Sequence, residues 1–532
     1  MSSLPLLTRV KEDGVTFALT RRGASPALAR TGPAQEARMP DRAPAPGEQY
    51  RFHVDMGKCI ACKCCVVACN EQNGNPATIN WRRVEEIEGG WFPMTMRASL
   101  SMGCNHCLEP TCLQGCPVDA YSKDPETGIV QHSADACIGC QYCTWNCSYG
   151  VPQYNPERGV VSKCDMCHGR LSIGQTPACV NACPEGAIAI EIVNVAKWRE
   201  SIDASPLNAG LPKNDGSLST TRVTLPKSLP PNATPLSVTN VVPEHPHWPL
   251  VVMTVLTQLA VGAFTTIWLS QVFGAAAHLG TAALASLIVG GLALSASTLH
   301  LGRPIHAYRA IRMWRRSWLS REVLLFSAFS GIAGVYAAVL WFGLPGGGYI
   351  GALTVAVGIA GVTSSACIYR VPSRPAWNTP YTLLQFNLTA AVLGPLFAAV
   401  VGGGNLRWLA TGAAAMASAQ FVLLALRLFR CISSDSLELR GTARLLSTVF
   451  ASRLVLRGVL LALGAVALPL LAAGSQVLTP NAPTGSMAGA VVMVVALALA
   501  TTAEIVGRYL FFVTVVPKHL AAPYIASASE AS

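Results

Sequence analysis

Hydrophobic positions fall along this chain in two contrasting patterns. From residue 247 to about 517 they merge into long apolar runs, and about 20 such residues suffice to cross a bilayer as a helix. The runs predict eight helices, over residues 248–273, 276–301, 322–343, 349–369, 381–401, 408–427, 454–473 and 488–516. The seventh carries Arg457 in its first turn, a position from which a long side chain can snorkel to the interface. Before residue 200 the apolar stretches are short. Arg51 to Asp55 and Ala187 to Val193 read as strands, the second closing the unit, and the spacer from Asn70 to Met102 reads as a short strand pair. Residues 1–48 are rich in Ala, Pro, Arg and Gly without sustained periodicity, which predicts a disordered N-terminal extension. No apolar run follows Arg21 and Arg22, so a twin-arginine export signal is not expected. Residues 201–246 form a Pro-rich linker that cannot fold alone and should lie over a neighbouring surface. The expected organisation is the 1–48 extension, a unit over 49–200, the linker, a membrane bundle over 247–517 and a tail over 518–532.

Composition supports the membrane half, with 51% hydrophobic and 13% charged residues in a chain of 532. The net charge of +11 is uneven: 22 basic and 23 acidic residues precede Pro246, and 17 basic and 5 acidic ones follow. The excess sits in short loops, as Arg303, Arg309, Arg312, Arg315, Arg316 and Arg321 after the second helix, Arg370 and Arg374 after the fourth, and a third group from Arg427 to Arg457. All lie on the face of the first half, so this is a topology signal rather than a nucleic-acid patch. It places both termini and the first half in the cytoplasm, on a bacterial inner membrane.

Chemistry is concentrated in the cysteines. Sixteen of the 19 form four groups: Cys59, Cys62, Cys65 and Cys69; Cys104, Cys107, Cys112 and Cys116; Cys137, Cys140, Cys143 and Cys147; Cys164, Cys167, Cys179 and Cys183. The first and third have the C-x2-C-x2-C-x3-C spacing of bacterial ferredoxins; the others open on C-x2-C and close on C-x3-C-Pro. In such runs three neighbouring thiolates hold one cubane and the fourth reaches across to another, so four groups imply four [4Fe–4S] clusters. A disulfide scaffold gives no reason for the repeated rhythm, and zinc does not call for four cysteines in eleven residues. The fold class is an α+β ferredoxin-like double domain followed by an all-α bundle of eight transmembrane helices. Cys64 falls outside the rhythm and reads as a spectator; Cys367 and Cys431 are isolated.

CNHC at Cys104, CIGCQYC at Cys137, YGVPQYN at Tyr149 and KCDMC at Lys163, with HWPL at His247, LHLGRP at Leu299, SREVL at Ser320 and AEIVGR at Ala503, carry a resemblance. The chain resembles two subunits of the dimethyl sulfoxide reductase family of molybdoenzymes joined in one polypeptide, the four-cluster electron-transfer subunit and the membrane anchor. The resemblance implies the ligand sets Cys59, Cys62, Cys65 with Cys183; Cys164, Cys167, Cys179 with Cys69; Cys104, Cys107, Cys112 with Cys147; and Cys137, Cys140, Cys143 with Cys116, the last nearest the membrane. Relatives in the nitrate reductase branch carry tryptophan at the position of Cys140 and a three-iron cluster; this chain keeps the cysteine. Asn70 and Ser148 stand where ferredoxins usually have proline, which alters loop geometry but not ligation. The resemblance also makes His300 and Glu322 the quinone site, with Arg303 beside them, and implies a separate molybdopterin-containing catalytic subunit as partner.

Residues in the bundle narrow the membrane chemistry. A di-haem anchor needs histidines paired at matching depth, but only His278 and His300 fall within apolar runs, at opposite ends of one helix, so no haem is expected. A quinone, menaquinone or ubiquinone, should then exchange electrons directly with the nearest cluster. Competing readings are an interfacial histidine for His300 and a helix-start acid for Glu322. Glu504 and Arg508, four residues apart in the last helix, read as a structural ion pair, or as part of a proton path. The chain lacks a nucleotide loop and a substrate site of its own. It is expected to be an electron-transfer and anchor subunit that carries the quinol-oxidising half-reaction for S- or N-oxide reduction. The rival is the same role in a sulfite dehydrogenase feeding the quinone pool; a free-standing ion-pumping ferredoxin is disfavoured by the lack of a line of buried acids.

Overall fold

The computed structural model describes residues 9–12, 15–18, 38–204, 216–230, 232–236, 241–274, 278–478, 487–521 and 524. In the first half, Glu48–Asp55 lies between Ile188–Asn194, antiparallel, and Arg222–Thr224, parallel. Its alternation turns Tyr50, Phe52 and Val54 into the core. The expected strand pair is Arg83–Trp91 with Met94–Met102. Two smaller hairpins, Tyr121–Lys123 with Val130–His132 and Gln153–Asn155 with Val160–Ser162, separate the cysteine loops.

Both flanking segments are tied in more closely than composition suggests. Of the expected disordered extension, Arg9–Glu12 pairs with Val15–Ala18. Near its end Arg38 donates to the Cys183 carbonyl at 2.7 Å; residues 1–8, 13–14 and 19–37 lie outside the described residues. In the linker, Arg222–Thr224 completes the central sheet and Thr234–Pro235 extends the second. The tail returns as well: Ala521 N–H donates to Glu85 at 2.9 Å, and buried Tyr524 meets Ser219 at 3.0 Å.

Among the described residues, eight helices are long and apolar enough to span a membrane: Trp248–Val272, Leu279–Thr298, Trp318–Phe342, Gly347–Ile368, Pro380–Val400, Leu406–Ser433, Ala451–Gly474 and Gly489–Val513. The first is the hub, with 83% of its apolar window buried. It meets the fifth where Gly262 and Gly394 face each other, and a Cβ on Gly394 would stand 2.2 Å from the Gly262 carbonyl carbon. Such contacts let helices approach closely where no hydrophobic drive exists between them. The seventh span is α-helical over Ala451–Leu461 and widens to π-helix over Ala462–Ala467. Arg457 does not snorkel: it is buried, its guanidinium lying over Gly507, where the absent side chain leaves room. Glu504 and Arg508 do not form the expected direct pair. Glu504 accepts from Thr389 Oγ1 at 2.8 Å, while Arg508 donates to Gln258 at 2.8 Å and stacks on Phe386 at 3.6 Å. Each takes one partner on another helix, and among the described residues Glu504 Oε1 and Arg508 Nε and Nη1 make no hydrogen bond.

The two halves share one core, in which Cys137, Cys140, Cys143 and Trp145 pack with Leu250, Phe264, Tyr336, Trp377 and Phe511. Backbone meets backbone at the seam. Gly302 N–H donates to the Gly139 carbonyl at 3.4 Å and Arg303 N–H to that of Ile138 at 3.1 Å. Arg303 and Arg309 side chains donate to the carbonyls of Ala134 and Asp135 at 2.8 and 3.1 Å, and Arg316 pairs with Asp119 at 2.5 Å. A Cβ on Gly302 would stand 2.1 Å from the Gly159 carbonyl oxygen, a backbone atom that cannot step aside. Gly302→Ala should therefore cost about 1–3 kcal/mol and lower the thermal midpoint of the detergent-solubilised protein. Gly331→Ala, inside a helix and with nothing within 4 Å of the new methyl, should not lower it.

Candidate functional site

Four cysteine loops share one backbone device. The residue before the second cysteine of each opening C-x2-C is left-handed: Ala61 (φ 58°), His106 (φ 41°), Gly139 (φ 70°) and Met166 (φ 58°). Three of the four are not glycine, so the conformation costs free energy and must be held by its surroundings. The turn aims amide hydrogens inward: Gly139 N–H donates to Cys137 Sγ and Met166 N–H to Cys164 Sγ, both at 3.4 Å. Such a nest suits an anionic group.

The thiols assemble across groups. Cys59 has Cys65, Cys183 and Cys62 as electrostatic neighbours; Cys69 has Cys164, Cys179 and Cys167. Cys107 has Cys104, Cys147 and Cys112; Cys143 has Cys140, Cys116 and Cys137. The first and third quartets each line a small cavity. Among the described residues no such group converges tightly enough to hold a single metal ion. Thiols standing around a space rather than a point fit a cage of several irons. Burial pushes Cys140 and Cys167 up to about 12, so their ionisation requires compensating positive charge. Cys64 is exposed and outside the quartets.

Two buried cations supply part of that compensation, and neither was foreseen. Arg82, almost fully buried, has Cys179, Cys65, Cys164 and Cys69 as neighbours. Lys163 has Cys104, Cys112 and Cys164, and its ammonium donates to the carbonyls of Cys164, at 2.7 Å, and Val130. Lys163 had a signal in its place before a cysteine pair; Arg82, remote in sequence from most of its thiols, had none. Each quartet also neighbours the next. Cys65 neighbours Cys179, Cys164 neighbours Cys104, and Tyr121 stands between Cys112 and Cys143.

Beyond the last quartet lies a cavity of about 210 Å³, whose walls include Cys140, Trp145, His300, Glu322, Phe326 and Tyr369. His300 follows the second spanning helix, and Glu322, buried, lies one turn into the third, which begins earlier than the apolar run suggests. Burial pushes the His300 imidazole down to about 4, against the opposing bond from its Nδ1 to the Ser297 carbonyl. With Nδ1 donating, Nε2 of the neutral ring is an acceptor. The structure thus brings His300 and Glu322 together beside Cys140. Arg303 is not in the cavity wall; it serves the seam. Trp145, missed in the sequence, contacts His247 and Trp377 edge-on at 5.3 and 5.6 Å.

Residues 96–193 match the family described as 4Fe-4S dicluster domain, and residues 243–513 the family described as DMSO reductase anchor subunit (DmsC). The chain is similar to the B component of anaerobic dimethyl sulfoxide reductase from Haemophilus influenzae, 36% identical over 177 residues, which are 32% of this chain and 85% of that protein. It is 40% identical over 148 residues to the probable anaerobic dimethyl sulfoxide reductase component YnfG of Escherichia coli K12, 26% of this chain and 72% of that one. The B component of sulfite dehydrogenase from Allochromatium vinosum is 34% identical over 160 residues, 26% of this chain and 67% of that protein.

Removing a buried positive charge favours the oxidised, less negative state of an adjacent cluster. Arg82→Gln should lower the midpoint potentials of the centres nearest Cys65 and Cys69 and leave those near Cys143 unmoved, as read by EPR during a redox titration.

Proposed function

Because the chain belongs to the DMSO reductase anchor subunit (DmsC) family and joins to it the iron–sulfur part of such reductases, we propose that it passes electrons between membrane quinol and a separate molybdopterin-containing catalytic subunit. In this reading the four quartets, Cys59–Cys62–Cys65–Cys183, Cys69–Cys164–Cys167–Cys179, Cys104–Cys107–Cys112–Cys147 and Cys116–Cys137–Cys140–Cys143, hold one [4Fe–4S] cluster each. The clusters supply one-electron steps. The chain's own residues do the rest: Glu322 and His300 bind the two ends of a quinol hydroxyl pair or its neighbouring waters, His300 Nε2 takes a proton, and Trp145 and Phe326 enclose the ring. No haem takes part. The observation that carries the reading is that Cys140, His300 and Glu322 line one cavity of about 210 Å³.

Reduction of an S- or N-oxide with quinol as donor is the first assignment, supported by the similarity to components of dimethyl sulfoxide reductases. The similarity to a sulfite dehydrogenase component favours a second, with electrons running from sulfite to the quinone. The cluster region is assigned to the cytoplasmic face from the arginine-rich loops, although Arg303, Arg309 and Arg316 also hold the seam.

His300→Ala should slow cluster reduction by quinol about 10²-fold or more, and Glu322→Gln should weaken quinol binding, both with dithionite-reduced EPR spectra unchanged. Stopped-flow reduction of the purified complex checks this; unchanged rates would remove the site. Turnover assayed with sulfite and with dimethyl sulfoxide gives the direction.

A further inference from the structure

A second space, of about 1350 Å³, opens between the cluster region and the helix ends. Its walls mix apolar side chains with the polar groups of Arg83, Glu244, His245, His247, Arg374 and Lys518. Trp145 and His300 line both this cleft and the apolar cavity, so they form the partition between them. Electrons and protons leaving the cavity therefore face different walls: Cys140 on one side and the His300 partition on the other.

His247 stands on the cleft side of that partition. It caps the first spanning helix with left-handed backbone, φ 48° and ψ 55°. Its ring is held edge-on to Trp145 at 5.3 Å and near Phe512 at 6.1 Å. His300 lies within its electrostatic reach, and the exposed His245 ring is 5.7 Å beyond. Next to His245, Glu244 accepts from Arg374 at 3.2 Å. A histidine in left-handed backbone, clamped by aromatic rings between the half-buried His300 and an open cleft, is costly to maintain for packing alone. Residues so placed shuttle protons, directly or through bridging water.

We propose that His247 is the proton outlet of the quinol site, relaying protons from His300 into the cleft. The step rests on the quinol reading above and balances as follows. Both O–H bonds of the quinol break and the ring becomes quinone. Two electrons leave one at a time to the [4Fe–4S] cluster of the Cys140 quartet, and two protons pass by His300 and His247 to water in the cleft.

His247→Asn tests it, because Asn tolerates left-handed backbone and removes only the imidazole. In the intact complex, reduction of the clusters by duroquinol should slow at least about tenfold and show a larger solvent deuterium isotope effect. Millimolar imidazole, small enough to enter the cleft, should restore much of the rate. Binding of a hydroxyquinoline N-oxide quinol analogue and the dithionite-reduced EPR spectrum should be unchanged. An unaltered rate, a loss that imidazole does not restore, or a loss accompanied by lost analogue binding overturns the outlet. Failure of duroquinol to reduce the unsubstituted complex removes the quinol site itself, and the outlet with it.

Discussion

The seam between the Cys137–Cys143 loop and the His300–Arg303 turn is the contact on which the rest depends. The proposed electron exchange between the Cys140 quartet and the cavity needs the two side by side, and touching backbones hold them there. Gly139, Gly159 and Gly302 make the approach possible, the amides of Gly302 and Arg303 bond the facing carbonyls, and arginine side chains cap the carbonyls of Ala134 and Asp135 just before them. Serine hydroxyls continue the pattern: Ser317 donates to the Gly115 carbonyl at 2.7 Å, and Ser373 to that of Trp145. The two halves are consequently joined mostly through main-chain acceptors. Such a joint fixes position without requiring side chains to match.

Charge is the second constraint. Thiolates in a low-dielectric interior are expensive, and a set of anionic clusters would be more so without cations among them. Arg82 and Lys163 answer this inside the cluster region, each bonded to backbone or hydroxyl oxygens that hold it beside the sulfur atoms. The same logic reaches the bundle, where Arg508 donates to Gln258 and lies over the face of Phe386. Arginine in the loops docks the two halves, so a count of basic residues there is not a signal of topology alone.

Much of this was legible in the sequence because its signals are local. Cysteine spacing marks a tight loop within a few residues, and eight apolar runs mark eight helices with ends off by a few residues, as with the third, which begins at Trp318. His300 and Glu322, expected together from the resemblance, do line one cavity beside Cys140. What stayed hidden is set by contacts distant in sequence: the insertion of Arg82 among four thiols, the return of Arg222–Thr224 and Tyr524 to the first half, and Trp145 as a wall of the cavity. Arg303 was misplaced for the same reason, since its neighbours in the chain suggested the cavity while its partner, Ala134, lies in the other half. Arg457 and the Glu504–Arg508 pair show the limit of spacing rules inside a bundle, where the best partner is on another helix.

The most direct test of the seam is an EPR measurement on the reduced complex while a quinol analogue is titrated in. A single cluster signal should change shape as the cavity fills, and that signal should be the one altered by Cys140→Ser. If the analogue instead perturbs a signal that Cys140→Ser leaves intact, the cavity does not face the proposed Cys140 centre, and the path from quinol to cluster drawn here is wrong.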